Sequence, residues 1–198
     1  MRNPNRTAGR RRAENEENVR PDTLIVCAGK YGSCEQYTRW LMDRLGVDAM
    51  SFNKQQLGYT SLYRNIVWIG AIKDAEIIGI NLLWQNHHNF GLEGKKIIVC
   101  GVGLGDPENP AYIEKVRKRS GSADDAFCTF HMLPGRIDKS RLRMLDKPQF
   151  EKFLVDAARI YGEETAALIN ERAEANYNGV EASALDPVVE EILATRQK

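Results

Sequence analysis

"TLIVCAGKYGSCEQYTRWLMDRL", residues 23–45, runs from an unbroken apolar stretch through a two-glycine turn into an amphipathic pattern. A continuous apolar run of this kind marks a strand buried on both faces, as in a parallel sheet covered by helices. Tyr37, Trp40, Leu41 and Leu45 then recur at helical spacing, and Gly46 closes the segment. A strand, loop and helix in this order present the backbone N–H groups from Lys30 to Cys34 at a helix N-terminus, where an anion needs no charged side chain. Gly32 permits close backbone approach, and Tyr31 and Ser33 bring hydroxyls nearby. An ordinary turn capped by Ser33 fits the same spacing equally well.

The rhythm continues along the chain. DAMSF (48–52), NIVWIG (65–70), KKIIVCGVG (95–103) and AFCTFHML (126–133) read as further strands. EIIGINLLWQNHH (76–88) and AYIEKVRKRS (111–120) read as helices, and Phe150, Phe153, Leu154, Ala157 and Tyr161 follow helical spacing after Pro148. Strands separated by helical segments imply right-handed crossovers and a parallel sheet. The expected fold is α/β: a doubly wound three-layer sandwich whose five strands run in the order 2-1-3-4-5, with ligands at the carboxyl ends of strands 1 and 3. Residues 1–21 read as a basic disordered tail, 22–161 as the sandwich domain and 162–198 as an acidic helical extension packed on it.

Composition narrows the function classes. A net charge of +1 speaks against a dedicated nucleic-acid binder, which must neutralise several phosphates. The four cysteines show no CxxC spacing, and three lie in or beside apolar runs as small hydrophobes, an expectation of the reducing cytoplasm. No stretch approaches the roughly 20 apolar residues of a transmembrane helix.

Three strand-to-loop junctions, 28–34, 70–76 and 102–107, should meet at one sheet edge. The third, CGVGLGDPENP, lacks the spacing of a dinucleotide fingerprint. Its glycines suit either a flat ligand or a plain turn before Pro107. His87 and His88 are adjacent and would diverge by about 100° on a helix, so they are not expected to share a metal. His131 falls near the ligand edge, as a proton donor or a structural residue. Basic residues thicken between 115 and 147, either to dock an acidic partner or as a solvated face.

Taken as an ordered set, TLIVCAGKYGSCEQYTRWLMDRL, NIVWIGAIKDAEIIGINLLWQN, KKIIVCGVGLGDPENPAY and FHMLPGRIDKSRLRML resemble flavodoxin-domain proteins. The resemblance spans roughly residues 22–160 and lies closest to the branch that includes menaquinone-dependent protoporphyrinogen oxidase. It implies a flavodoxin-like fold and FMN as cofactor, with the phosphate on Gly29, Lys30, Tyr31, Gly32, Ser33 and Cys34. The flavin ring would lie between Gly70, Ala71, Ile72, Lys73 and Gly103, Leu104, Gly105. It further implies a flavin-dependent oxidoreductase or electron carrier with a quinone or redox-protein partner. A porphyrin-type substrate would place its propionates on Arg136, Lys139 or Arg141. Two hydroxyl positions of the family's loop are occupied here by Gly29 and Cys34, and Lys73 stands where an aromatic residue often does. The alternative is a flavodoxin-like interaction module that has lost FMN.

Overall fold

The computed structural model describes residues 22–121 and 128–196. The basic tail expected over 1–21 lies outside them, as do Ala126 and Phe127 of the fifth expected strand. Five parallel strands form the sheet: β1 (Thr23–Ala28), β2 (Asp48–Ser51), β3 (Asn65–Lys73), β5 (Lys96–Gly103) and β6 (Cys128–Pro134), in the order β2-β1-β3-β5-β6. A two-residue β4 (Glu76–Ile77) pairs only with the end of β3. With β4 set aside, this is the doubly wound flavodoxin-like α/β sandwich that the sequence pattern implies.

The unbroken apolar runs arise because both sheet faces are covered. Leu24, Ile66 and Ile97 lie in one row across β1, β3 and β5 and share a face with Trp68 and Val99. Ile25, Val67 and Ile98 form the next row, facing the other way with Ile69 and Cys100. The first face is covered by a 3₁₀ segment (Lys54–Leu62), α2 (Ile80–Gln85) and α3 (Pro110–Arg119), through Leu57, Ile80, Leu83, Tyr112 and Val116. The second is covered by α1 (Ser33–Leu45) and the distant α6 (Asp186–Arg196), through Tyr37, Leu41, Val188 and Ile192, with Leu185 just ahead of α6. Between β6 and α6 the chain forms α4 (Lys147–Tyr161) and α5 (Glu163–Glu174), packed as a pair on either side of Gly162. The segment expected as one acidic extension therefore contains α5, a 3₁₀ turn and a helix that forms part of a sandwich layer.

One element differs from expectation. The helix anticipated over 76–88 begins only at Ile80 and ends at Gln85. Before it, β3 continues past Gly70 to Lys73, and Asp74 and Ala75, both at positive φ (52° and 63°), turn the chain back. This is a two-residue hairpin of the primed kind, pairing Ile72 with Ile77 and Lys73 with Glu76. Gly79, at φ 78°, then redirects the backbone into α2. Ile77, Ile80 and Leu83 are all fully buried, so their spacing of three is satisfied without a helix reaching Ile77.

Glu191 ties α6 to the sheet. Its carboxylate accepts from Thr129 Oγ1 (2.7 Å), His131 Nε2 (2.8 Å) and Lys96 Nζ (2.7 Å). His131, considered from sequence for the ligand edge, is thus committed to α6. Burial pushes the Glu191 carboxyl up, but its bonds to Lys96, His131 and Thr129 outweigh that and hold it below the ordinary carboxylate range. The stabilisation is therefore present above the unfolded value of about 4.3 and is lost as pH falls through the lower folded value. Glu191→Gln is expected to cost about 1–2 kcal/mol at pH 7, a charged hydrogen-bond set discounted for partial exposure. Urea unfolding at pH 7 and pH 3 checks this: the wild type should lose more stability than the variant between them.

Candidate functional site

The first junction begins α1 on Gly32, at φ 89° and with no side-chain cap; Ser33, the cap in the alternative reading of the loop as an ordinary turn, is instead a buried first-turn residue. The first-turn N–H groups of any helix lack intrahelical partners and leave a positive pole here. A Cβ added at Gly29 would sit 2.6 Å from Cys34 Cβ, 2.9 Å from its Sγ and 3.1 Å from Glu35 Oε2. The two departures at 29 and 34 are therefore one arrangement, in which the Cys34 thiol takes the room a side chain at 29 would need. Burial pushes that thiol well above its ordinary pKa, so it is not a ready nucleophile. Glu35 Oε2 is buried without a hydrogen-bond partner beside this loop.

Asp146, just before α4, fastens the loop from outside. Its carboxylate accepts from Lys30 Nζ (2.6 and 2.7 Å) and from the Tyr31 hydroxyl. These bonds, Lys30's first, hold the Asp146 carboxyl below its usual range, while burial and then Asp146 raise the Tyr31 phenol. Arg136 lies across Gly32 where any side chain at 32 would overlap it, and donates to the Tyr31 carbonyl at 3.3 Å. A guanidinium thus covers the N-terminal pole of α1.

At the other junctions the glycines face this chain's own side chains. A Cβ at Gly70 would overlap Ile77, and at Gly103 or Gly105 it would overlap Tyr112. Arg172 of α5 holds the third loop by donating to the carbonyls of Leu104 and Gly105, both at 2.8 Å, while lying 4.5 Å over the Tyr177 ring. At the end of β6, the Gly135 N–H donates to the Gly103 carbonyl at 2.7 Å.

These segments enclose a cavity of about 340 Å³ at the carboxyl edge of the sheet, within the usual range of roughly 300–1,000 Å³ for ligand sites. Lys30, Tyr31, Ser33, Cys34, Ala71, Ile72, Lys73, Gly103 and Leu104 line it, so the three junctions do meet. Gly29, Gly32, Gly70 and Gly105 do not line it. Arg136 lines it and also, with Arg141 and Glu35, an adjoining hollow of about 480 Å³. Lys139 lines neither and pairs with Glu174 at 2.5 Å.

The opposite wall was not foreseen as a site. Phe150, Phe153 and Tyr161 of α4 and Tyr112 of α3 form a chain of ring contacts, with centroids 6.0, 6.2 and 5.4 Å apart in turn. The Tyr161 hydroxyl accepts the Ala75 N–H at 2.7 Å and so fixes the hairpin tip. Burial pushes its phenol up to about 12 and also raises that of Tyr112, so both stay neutral near pH 7. Among the described residues the lining contains no histidine, and its thiol is protonated. Such a wall can bind and orient a flat molecule.

No protein-family model matches the chain, and no curated protein does. Among solved structures, it is similar to the rubredoxin oxygen:oxidoreductase of Desulfovibrio gigas, with TM-score 0.38, 11% identity and coverage of 74% of this chain and 36% of that one. A flavodoxin from the domain Archaea gives TM-score 0.32, 12% identity and coverage of 77% and 96%. An FMN-dependent NADH-azoreductase from Bacillus anthracis, solved in complex with FMN, gives 0.37, 10%, 71% and 99%. The chain thus spans about a third of the first of these. None of the three is a protoporphyrinogen oxidase, and the fold assignment rests on strand order and crossovers. No helix among the described residues is long and apolar enough to cross a membrane.

Proposed function

We propose that this chain is an FMN-binding flavodoxin-like redox protein. The observation that carries the reading is a single cavity joining the N-terminal pole of α1, under Arg136, to an aromatic wall on α3 and α4. The donor set suits a flat ring with an anionic tail. Phe150, Phe153, Tyr112 and Tyr161 would hold the ring, supplying from α3 and α4 the aromatic surface that Lys73 does not. The first-turn N–H groups of α1 and Arg136 would take the phosphate in place of the missing hydroxyls. Lys30 is already engaged by Asp146. FMN, when bound, accepts and passes on one or two electrons; the protein's part is to bind, orient and exclude water.

Addition of FMN followed by desalting tests this. Retained flavin absorbance with quenched fluorescence is the expected result, and Phe153→Ala should weaken binding by about tenfold to a hundredfold, the usual worth of a ring stack. If micromolar protein keeps no flavin, the redox reading fails. That outcome would favour the second reading, an interaction module without cofactor. It has a specific support: Glu35 places a carboxylate oxygen beside the loop where a phosphate would have to sit.

Within the redox reading, the finer form is dehydrogenation of a porphyrin-type substrate with a quinone as acceptor, the propionates lying on Arg141 in the adjoining hollow, since Arg136 is given to the phosphate. Lys139 is engaged elsewhere. An anaerobic assay with protoporphyrinogen and a quinone distinguishes this from simple electron carriage.

A further inference from the structure

Between α2 and β5 the chain turns repeatedly at the amino-terminal edge of the sheet. The Phe90 N–H donates to the Asn86 carbonyl at 2.9 Å, and that of Leu92 to the His87 carbonyl at 3.0 Å. Leu92 is 4% exposed and anchors the segment in the core. Gly91, at φ 57°, provides a left-handed step between the histidines and Glu93, and Gly94, at φ 72°, turns the chain on toward β5. Because α2 ends at Gln85, the helical argument that separates the two histidines does not apply. Their ring centroids lie 3.8 Å apart with the planes tilted by 40°.

One ring nitrogen from each histidine and one Glu93 carboxylate oxygen lie within 4.8 Å of one another. His87 Nδ1 is 2.9 Å from the Trp84 carbonyl. A carbonyl only accepts, so Nδ1 carries the proton and Nε2 presents its lone pair. This is the outer hydrogen bond that metal-bound imidazoles usually make, and it is already in place. His88 Nδ1 contacts Glu93 Oε1.

We infer that His87, His88 and Glu93 form a binding site for one divalent transition-metal ion of the zinc class, with water completing its coordination. Two imidazoles and a carboxylate favour zinc, nickel or copper over magnesium or calcium. Ligand atoms around tetrahedral zinc lie about 3.4 Å apart, given bonds of about 2.0–2.2 Å. The groups need shift by only an ångström or so, the directly touching His88 and Glu93 atoms apart and the others together, and the His88 and Glu93 side chains, 78% and 53% exposed, are free to turn. Strands of this length place the site roughly 20 Å from the cavity. The ion would staple the 87–93 turn and take no part in chemistry at the carboxyl edge, so the inference stands apart from the FMN reading.

Calorimetric titration of the untagged, chelator-stripped protein with zinc chloride tests it. One ion per chain is expected, with a dissociation constant in the micromolar range. His87→Ala and Glu93→Gln, each checked for an unchanged circular dichroism spectrum, should weaken it at least tenfold. Cobalt(II) in place of zinc should give a visible ligand-field band that both substitutions remove. Absence of saturable binding up to millimolar zinc overturns the inference, as does binding that neither substitution weakens.

Discussion

Trp68→Ala is expected to lower the unfolding free energy by about 3–5 kcal/mol, the usual cost of emptying a large aromatic site in a core. Trp68 is fully buried and meets Phe52 edge-on, with ring centroids 5.4 Å apart. Its indole N–H donates to the Ile78 carbonyl at 3.1 Å, so truncation removes both packing and a pin on the segment that follows the β3–β4 hairpin. In a domain of this size each kcal/mol moves the melting temperature by about 2–4 °C, giving a fall of roughly 6–20 °C. Urea midpoints and thermal scans check it, and a loss under about 1 kcal/mol would refute the account. Ile78 also lines the cavity, so flavin affinity should fall in the same variant.

Gly135→Ala should cost about 2–3 kcal/mol, because the conflict it creates is with backbone. An added Cβ would lie 2.8 Å from the Gly103 carbonyl oxygen and 3.1 Å from its carbon, which no rotamer change relieves. The same residue bonds outward twice: its N–H to Gly103 O, and its carbonyl to the Gly179 N–H at 3.1 Å. Displacing it separates the ends of β5 and β6 where the cavity lies between them. Stability and ligand retention should therefore fall together. Gly58→Ala is the comparison: nothing lies within 4 Å of the added atom and its φ is not left-handed, so the change should stay within about 0.5 kcal/mol.

The sandwich was legible because burial on both faces leaves a plain mark, the unbroken runs of β1, β3 and β5. The β3–β4 hairpin was not. Its turn is made by Asp74 and Ala75, lacking the glycine that usually announces such a turn. Ile77, Ile80 and Leu83 also share a spacing that a helix satisfies equally well. At the site, sequence located the three junctions but not what fills them. Nothing local reports that Tyr112 packs against Gly103 and Gly105, or that Cys34 closes on Gly29. The aromatic wall was hidden for a related reason. Spacing places Phe150, Phe153 and Tyr161 on one helix face, yet only the tertiary path of α4 shows that this face closes the carboxyl edge.

The position of α6 has a consequence for the order of assembly. The bonds that tie it to α1 and β3 link residues 142, 151 and 130 positions apart. Closing a loop ten times longer costs only about 2 kcal/mol more, so this topology is affordable at equilibrium. It is slow to reach, because distant partners must first find one another. The face covered by α2 and α3 depends on nearer contacts and can form earlier. Until α6 lands, this face lacks the cover of Val188 and Ile192, and the chain's exposure to misassociation is greatest in that interval.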